Sequence, residues 1–350
     1  MIKNLQALRF VFSFTILVSH LMGHKYSTFG LGEYGVDGFF MLSGFVLSVA
    51  YGHKINESQF NTRYFFIKQW LKLYPLHICT FILAIFYEAH YGIFHKWYQL
   101  IPPVFLIQSW IPDESFHYIP NGSSWSLCGF FFFYLLFSPL FIRINRISFP
   151  RLLTIIITFL ILYLVIVANV SEKYVYAIVY TSPLMRLPDF IIGIVLHRFF
   201  ISEQGKSIGK CLNSLNVTLL TLVEILVLLS PLLAFLVYGE TNHALRCVSL
   251  FWIFVAIQLL LFSWIDDGKG LVTHLLHSRL VMFLGAISFE IYLIHMFFVP
   301  SIRSVAFKLG FFEVGPFALL LLVIVIIPVS YVAKKILVDK IYESFIKYVS

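Results

Sequence analysis

Long apolar segments recur along the whole chain, and they constrain the fold more than any other feature of the sequence. A helix that crosses a lipid bilayer needs about 20 mostly apolar residues. The sequence contains ten such segments, at residues 7–23, 34–52, 72–92, 124–142, 152–170, 177–197, 217–238, 245–264, 280–300 and 315–333. Only 12% of the residues are charged, against about 25% in a typical soluble domain. The pattern therefore predicts an all-α, polytopic integral membrane protein with about ten transmembrane helices.

One further apolar stretch, at residues 98–111, is shorter than a spanning helix. Pro102 and Pro103 interrupt it, and proline disrupts the interior of a helix. We therefore expect a re-entrant or interfacial segment there. No loop is long enough to form a separate soluble domain. We predict a single membrane domain over residues 1–350, without a fused extracytoplasmic domain.

The distribution of basic residues predicts the orientation of the helices, because cytoplasmic loops of membrane proteins are enriched in lysine and arginine. With a cytoplasmic N-terminus and ten crossings, eighteen of the 25 basic residues fall on the cytoplasmic side and Arg186 falls inside a helix. The other six are Lys25, Lys96, Lys173, Arg246, Arg303 and Lys308. We therefore predict a multi-pass protein of the cell inner (plasma) membrane with both termini in the cytoplasm. This bias also explains the net charge of +8 without a nucleic-acid partner.

The cysteines give no indication of a metal site or a disulfide framework. Cys79, Cys128, Cys211 and Cys247 are far apart and form no CxxC pair. Structural zinc sites and disulfide frameworks usually show closely spaced cysteines. We expect all four to serve packing, and we expect no metal site.

Ionisable residues within apolar helices are costly and mark functional sites, and the first helix contains Arg9 and His20. Eleven residues make three helical turns plus about 20°, so both side chains lie on one face, about 16 Å apart along the axis. Arg9, at the cytoplasmic end, is suited to holding a phosphate group. The deeper His20 is suited to taking a proton from a hydroxyl. The alternative is an interfacial arginine and a histidine that bonds to a neighbouring helix.

The second helix contains Asp37 in a glycine-rich run, residues 35–45, which also includes Ser43. Glycines allow a ligand or a neighbouring helix to approach the backbone closely. Asp37 therefore contributes either to ligand binding or to a helix interface, and the sequence favours neither.

Lys68 and Lys72 share one face of the third helix, at i and i+4, and Tyr74 and Pro75 follow them. Two ammonium groups on one face suit an anionic ligand at the cytoplasmic surface. They equally suit anchoring to lipid headgroups.

Arg186 stands between Pro183 and Pro188, and Asp189 follows three residues after it. Prolines on both sides of a charge predict a broken helix, and irregular backbone within a membrane is tolerated where it lines a cavity. A simple ion pair between Arg186 and Asp189 is the alternative.

Glu290 and His295 lie in one apolar span. Five residues correspond to about 140° beyond a full helical turn, so the two side chains do not share a narrow face. We therefore expect separate partners for them rather than a direct acid–base dyad.

An ordered set of motifs in this chain resembles the acyltransferase-3 family. The set comprises Arg9-x10-His20, Gly35-Val36-Asp37-x-Phe39-Phe40-x-Leu42-Ser43-Gly44-Phe45, Leu73-Tyr74-Pro75-Leu76, Trp125-Ser126-Leu127, Arg186-x-Pro188-x-Phe190-x-x-Gly193 and Ile287-Ser288-x-x-Ile291-Tyr292-Leu293-x-His295. Each motif alone is weak. Their order and spacing are specific as a set, and they span nearly the whole chain.

The resemblance implies a bundle of about ten helices that transfers an acyl group, usually acetyl, from cytoplasmic acyl-CoA. Its acceptors are sugar hydroxyls of surface polysaccharides such as O-antigen, capsule, exopolysaccharide or peptidoglycan. By matching position it implies catalytic roles for His20, Arg9 and Arg186. His20 would deprotonate the acceptor or briefly carry the acyl group, and Arg186 would stabilise the oxyanion. We expect the other polar candidates to bind donor and substrate: Asp37, Ser43, Lys68, Lys72, Tyr74, Trp125, Glu290, Tyr292 and His295.

The chain departs from the family pattern in two places. Relatives have dense basic residues before the Tyr-Pro motif, whereas Gln69 and Trp70 interrupt that cluster here. Relatives also usually have an acid three residues after the Trp-Ser-Leu motif, and here that position is Phe130. If that acid takes part in catalysis, either another residue such as Asp37 or Glu290 replaces it or the activity of this chain is weakened.

We therefore expect a membrane O-acyltransferase, and specifically an O-acetyltransferase, that uses acyl-CoA as a substrate and has no permanently bound cofactor. Its expected partners are the lipid bilayer and a carbohydrate or lipid-linked glycan acceptor. Transfer to a separate extracytoplasmic transferase is an alternative, because the chain lacks the esterase-like domain that many relatives carry. A transporter of a polyprenyl-linked sugar or an acyl-derived group is the alternative function, and an inactive scaffold is a third.

Overall fold

A computed structural model of the protein describes residues 2–22, 30–309 and 315–349. The predicted Lys25 therefore lies outside the described residues. The described part of the chain is helical and has no β-strand. Its helices are α1 (Lys3–Met22), α2 (Leu31–Asn56), α3 (Thr62–His90), α4 (Trp97–Val104), α5 (Glu114–His117), α6 (Trp125–Arg146), α7 (Phe149–Ala168), α8 (Leu187–Phe200), α9 (Glu203–Ser214), α10 (Val217–Leu229), α11 (Pro231–Val237), α12 (His243–Val248), α13 (Trp252–Trp264), α14 (Leu271–Leu276), α15 (Arg279–Ala286), α16 (Ser288–Lys308), α17 (Pro316–Ala333) and α18 (Lys340–Val349). Short 3₁₀ turns cover Gln108–Trp110, Gly122–Ser124 and Glu172–Tyr174, and π-helical turns cover Val175–Tyr180 and Lys334–Asp339.

Nine helical segments within the described ranges are long and apolar enough to cross a membrane. They are Lys3–Met22, Leu31–Asn56, Thr62–His90, Gly122–Arg146, Phe149–Ala168, Val217–Val237, His243–Trp264, Ser288–Lys308 and Pro316–Phe345. The predicted all-α, polytopic membrane fold is thereby confirmed. The third helix begins ten residues earlier than predicted, because the Asn61 side chain accepts a hydrogen bond from the Tyr64 amide and caps the helix.

The sixth predicted span, residues 177–197, is not one continuous helix. A π-helical turn ends at Tyr180, residues 181–186 form the break, and α8 contains only 14 residues. The Thr181 hydroxyl hydrogen-bonds to His117 Nδ1 at 2.9 Å, and this contact ties the break to α5. Burial lowers the pKa of His117, so its ring is neutral at pH 7. The predicted break around Arg186 is confirmed.

Three other predicted spans are also interrupted. The segment predicted at 280–300 consists of α15 and α16, which are separated at Ile287. Pro231 begins α11 directly after α10, and residues 249–251 separate α12 from α13. Hydropathy averages over about 20 residues, so it does not detect a single-residue break within an apolar stretch.

The apolar stretch at 98–111 forms the two-turn helix α4 and the 3₁₀ turn Gln108–Trp110. Several of its large side chains are exposed, among them Tyr98 and Phe105. The stretch is therefore no spanning helix. Its location in the membrane interface stays a prediction.

Helix α2 packs most extensively against α1 and α8, and two glycines allow this close approach. A Cβ atom at Gly44 would lie 2.2 Å from the Phe190 carbonyl oxygen, and one at Gly193 would lie 2.0 Å from the Met41 carbonyl oxygen. Both distances are far inside van der Waals contact, so no larger residue fits there without moving a backbone. The α2–α8 crossing brings Asp37 to Arg186.

The C-terminal end of the described chain is helical and packs onto the bundle. The C-terminal helices do not stop at residue 333 as the apolar pattern predicted, but continue through the π-helical turn Lys334–Asp339 into α18. This extension packs against α3. The extension lines a cavity together with Arg9 and Ile16 of α1.

Candidate active site

A cavity of about 350 Å³ lies between α1, α2, α3, α6, α16 and the C-terminal extension. Its apolar lining includes Ile16, Phe39, Phe40, Phe130 and Phe289. Twelve of its lining residues carry polar side chains: Arg9, Ser43, Gln69, Lys72, Ser126, Tyr134, Ser288, Glu290, Tyr292, Lys334, Asp339 and Tyr342. Apolar walls with a few convergent polar groups are typical of a small-molecule site.

Three of the lining residues are basic, and they differ in their partners. Arg9 makes no hydrogen bond or ion pair with any other described residue, although it is only partly exposed. Lys72 Nζ lies 5.8 Å from the centre of the Tyr342 ring. Lys334 is paired, because its Nζ lies 3.5 Å from Glu290 Oε1 and 3.7 Å from Asp339 Oδ1. The cavity therefore contains an arginine whose charge has no protein partner in the described chain.

Glu290 lies in the cavity wall and is buried. Lys334 contacts its Oε1, whereas its Oε2 has no hydrogen-bond partner. A buried carboxylate oxygen without a partner is costly, so this atom can accept a hydrogen bond from a bound molecule. Lys334 was not among the sequence-derived candidates, because it lies after the last apolar segment and resembled an ordinary cytoplasmic lysine.

His20 of α1 and His295 of α16 form a pair. Along α16, Tyr292 lies between Glu290 and His295. His20 Nδ1 and His295 Nε2 are 2.7 Å apart, and the two rings stack with their centres 4.9 Å apart. His295 Nδ1 lies 2.6 Å from the Tyr292 carbonyl oxygen. The prediction that Glu290 and His295 have separate partners is confirmed.

Tyr292 connects the cavity to the histidine pair. Its side chain lines the cavity, and its hydroxyl donates a hydrogen bond either to Ser126 Oγ at 2.9 Å or to the Ser123 carbonyl at 3.0 Å. Its backbone carbonyl accepts from His295. One residue of α16 is thus part of the cavity wall and of the support for the histidines.

Arg186 belongs to a different environment, a fully buried ion cluster between α2, α8 and α13. Its Nη2 donates to Asp37 Oδ1 at 3.0 Å, its Nη1 donates to the Cys247 carbonyl at 3.0 Å, and its Nε lies 3.5 Å from Asp189 Oδ2. Trp252 Nε1 donates to the other oxygen of Asp189. The side chains of Arg186, Asp37 and Asp189 are all 0% exposed. Asp37 thus lies at a helix interface, and Asp189 pairs with Arg186.

The ring of Phe40 lies between this ion cluster and the cavity. The Arg186 guanidinium carbon is 5.3 Å from the centre of that ring, and Phe40 also lines the cavity. Tyr180 covers the guanidinium at 5.5 Å as well. Arg186 therefore does not line the cavity in this conformation.

The sequence-derived candidates divide into those that line the cavity and those that do not. Arg9, Ser43, Lys72, Glu290 and Tyr292 line it. Outside it, His20 pairs with His295, Asp37 pairs with Arg186, and buried Trp125 packs on Phe40 and Tyr180.

Two candidates on α3 also lie outside the cavity lining. Lys68 Nζ lies 5.8 Å from the centre of the Tyr64 ring, and the Tyr74 hydroxyl donates to the Val104 carbonyl at 3.0 Å. The two lysines lie one turn, about 6 Å, apart along the helix axis, and only Lys72 reaches the cavity. The binding roles of Lys68 and Tyr74 stay predictions.

Other polar lining residues were not predicted to be part of the site. Gln69, Tyr134 and Tyr342 are polar residues in or beside apolar segments, but uncharged side chains of this kind are common in such helices. Ser126 was available as the centre of the Trp-Ser-Leu motif. The position of Ser126 next to Trp125 in that motif could have identified it.

Comparisons with known proteins identify the family of the chain. The family model described as an acyltransferase domain matches residues 2–335 of the chain. The acyltransferase MdmB from Streptomyces mycarofaciens is 40% identical over 121 residues, which cover 33% of this chain and 30% of that relative. The similarity thus covers about a third of the relative's length. No solved structure shows significant similarity. Because the family match covers nearly the whole chain, this protein belongs to the acyltransferase-3 family.

Proposed function

We propose that this membrane acyltransferase is an O-acyltransferase that takes an acetyl group from acetyl-CoA, bound in the cavity. The acceptor is a hydroxyl of a cell-surface polysaccharide or of its lipid-linked precursor. The enzyme lies in the cell inner membrane, with the cavity open to the cytoplasm. The family membership supports acyl transfer, and the donor and acceptor are our proposal.

The observation that carries the choice of donor is the unpaired Arg9 in the cavity. An unpartnered charge within a membrane protein is expensive and marks a ligand or ion site. Coenzyme A carries phosphate groups, and a guanidinium binds phosphate with charge-assisted hydrogen bonds. Lys72 lines the same cavity and adds a second positive charge. The cavity volume of about 350 Å³ is within the range of small-molecule sites, roughly 300–1,000 Å³.

The distance between Arg9 and His20 suits a donor with an anionic end and a distant reactive thioester. Both residues lie on α1, eleven residues apart, which corresponds to about 16 Å along the helix. With its phosphates at Arg9, acyl-CoA extends its pantetheine arm past Tyr292 towards His20. The thioester then reaches the histidine pair while the nucleotide stays near the mouth of the cavity.

At the histidine pair we assign the chemistry to His20. His20 takes the proton of the acceptor hydroxyl as its oxygen attacks the thioester carbon. The carbon–sulfur bond breaks, the new ester forms, and the proton passes from His20 to the departing thiolate to give free CoA. Atoms and charge balance without a further reactant.

Arg186 is assigned a supporting role. Stabilisation of an oxyanion requires a donor at about 2.7–3.1 Å from that oxygen. Two N–H groups of Arg186 donate to Asp37 and the Cys247 carbonyl, its Nε lies 3.5 Å from Asp189, and the Phe40 ring lies between the guanidinium and the cavity. We propose that Arg186 holds α2 against α8, and so holds the cavity wall that includes Phe39 and Ser43. The oxyanion role that the resemblance implies stays a prediction.

The experiment that tests the proposal compares the intact gene with His20→Ala in the cells that produce the protein. We expect the O-acetyl signal in the ¹H NMR spectrum of the purified surface glycan to disappear in the variant, because general-base catalysis contributes about 10²- to 10⁴-fold. His53→Ala is the matched control, since the His53 side chain is 80% exposed. Immunoblots of the membrane fraction check that all three proteins are present in equal amounts.

Other outcomes discriminate between the alternatives. An acetylated glycan that persists in His20→Ala contradicts the role of His20. A glycan without O-acyl groups even with the intact gene contradicts the proposed function and favours a transporter. A longer acyl group in the glycan mass spectrum would correct the identity of the donor.

A further inference from the structure

The hydrogen bonds of the histidine pair determine where its protons lie. A backbone carbonyl has no proton to donate, so the contact of 2.6 Å between His295 Nδ1 and the Tyr292 carbonyl requires a proton on Nδ1. In a neutral imidazole the other nitrogen then has none. His295 Nε2 is therefore an acceptor, and it lies 2.7 Å from His20 Nδ1.

The neutral state of both rings follows from their surroundings. His295 is 0% exposed, and no acidic side chain in the described chain bonds to either ring. A positive charge on buried His295 would be poorly solvated, and no carboxylate of a described residue stabilises one on His20. Charges on both rings would repel each other, since the ring centres are 4.9 Å apart. With both rings neutral, His20 Nδ1 must carry the proton that bonds to His295 Nε2.

We propose that His295 is a positioning residue that fixes the tautomer and the orientation of His20, leaving an unprotonated His20 Nε2 as the reactive atom. This inference rests on the proposed function. His20 is exposed, whereas its Nδ1 edge faces buried His295. Its Nε2 makes no hydrogen bond to another described residue. The same free lone pair is required whether His20 removes the proton of the acceptor or briefly carries the acyl group.

The histidine pair resembles a catalytic triad, except that the hydrogen-bond partner of the reactive histidine is neutral. In hydrolytic triads a buried carboxylate accepts from the imidazole and stabilises the imidazolium that forms. Here a second imidazole accepts, and the Tyr292 carbonyl in turn orients that second ring. When His20 takes up a proton on Nε2, its Nδ1–H bond to His295 becomes charge-assisted and stronger. A neutral partner avoids a permanent anion in an apolar span, where a charge is costly.

The test uses two substitutions at His295 that differ in whether they keep an acceptor. His295→Gln offers an amide oxygen to His20 Nδ1, and His295→Leu removes the acceptor at similar volume. His197→Phe is the matched control, because His197 is a buried histidine between Phe45 and Phe141 whose Nδ1 has no partner. The readout is the initial rate of label transfer from [¹⁴C]acetyl-CoA to the surface glycan in permeabilised producing cells, as a function of acetyl-CoA concentration.

We expect kcat to fall about 10- to 100-fold in His295→Leu, which is the usual effect of removing a partner that orients a functional histidine. KM for acetyl-CoA stays unchanged, because His295 is buried and does not line the cavity in which the donor is proposed to bind. His295→Gln retains at least tenfold more activity than His295→Leu. Detergent-solubilised variants are compared by thermal unfolding, so that loss of folded protein is separated from loss of turnover.

Each other outcome contradicts one specific claim. Equal activity of His295→Leu and His295→Gln at equal stability overturns the assignment of His295 as the hydrogen-bond acceptor. A change confined to KM shows that His295 contacts the donor instead. If the intact protein and every variant transfer no label, the proposed function is contradicted. That outcome does not contradict the positioning of His20 by His295.

Discussion

Arg9 and Arg186 are chemically identical side chains in two regions of the same bundle, and their surroundings are opposite. Arg9 lines a cavity and has no ion-pair partner among the described residues. Arg186 is completely buried and contacts Asp37, Asp189 and a backbone carbonyl. A charged residue in an apolar helix can thus serve either to hold helices together or to bind a ligand.

The physical difference lies in which molecule compensates the charge. The carboxylates around Arg186 are built into the protein, so this charge needs no ligand and contributes to holding α2 and α8 together. The N–H groups of Arg9 are available to form hydrogen bonds with a ligand that binds reversibly. A substitution of Arg186 should therefore lower stability, whereas a substitution of Arg9 should weaken substrate binding.

The largest effect is expected for Arg186→Met. It leaves Asp37 and Asp189 buried without their counter-charge, and breaking a buried pair in this way costs about 3–5 kcal/mol. We expect most of the protein to be lost from the membrane fraction, and any remainder to unfold at a much lower temperature. Fluorescence-detected size-exclusion chromatography after heating measures this.

A triple variant is the control for that prediction. Arg186→Met combined with Asp37→Asn and Asp189→Asn removes the uncompensated charges and should regain much of the lost stability, because whole buried networks can often be replaced at little cost. Full stability of Arg186→Met together with lost acyl transfer would contradict the comparison and return Arg186 to the chemistry.

A smaller effect of another kind is expected for Arg9→Gln. Loss of one charge-assisted hydrogen bond to phosphate weakens binding by about 1.5–3 kcal/mol, so KM for acetyl-CoA should rise about 10- to 100-fold. The unfolding temperature should not fall, because no described residue loses an ion pair. Arg9→Lys keeps the charge and should show a smaller rise in KM. A destabilised Arg9→Gln protein with unchanged KM would show that Arg9 is structural.

The smallest effect separates two neighbouring lysines on α3. Lys72 lines the cavity and Lys68 does not. Lys72 is exposed, and an exposed charge contributes about 0.2–1 kcal/mol. We therefore expect Lys72→Gln to raise KM for acetyl-CoA roughly two- to fivefold, while Lys68→Gln leaves it unchanged. The same labelled-donor assay measures both. An equal rise in the two variants would mean that the donor extends beyond the cavity over the face of α3.

Much of the architecture could be predicted from local sequence. The apolar segments identified the spanning helices, and Pro183 and Pro188 identified the broken one, because both signals act within a few turns of chain. The angular offset between Glu290 and His295 correctly predicted separate partners. The interruptions at Ile287 and Pro231 and the helical continuation beyond residue 333 were missed, since an average over an apolar window hides them.

What the sequence by itself determined was that this chain is a helical membrane protein with a few costly polar groups in its spans. It also determined that Arg9 and His20 share a face, because 3.6 residues per turn follows from the backbone alone. Only the tertiary structure decided how those groups are matched. Arg186 meets Asp37 across 149 positions of sequence and His20 meets His295 across 275, whereas Arg9 forms no ion pair with a described residue. Such pairings depend on which helices pack together and at what depth, and no local pattern encodes that geometry.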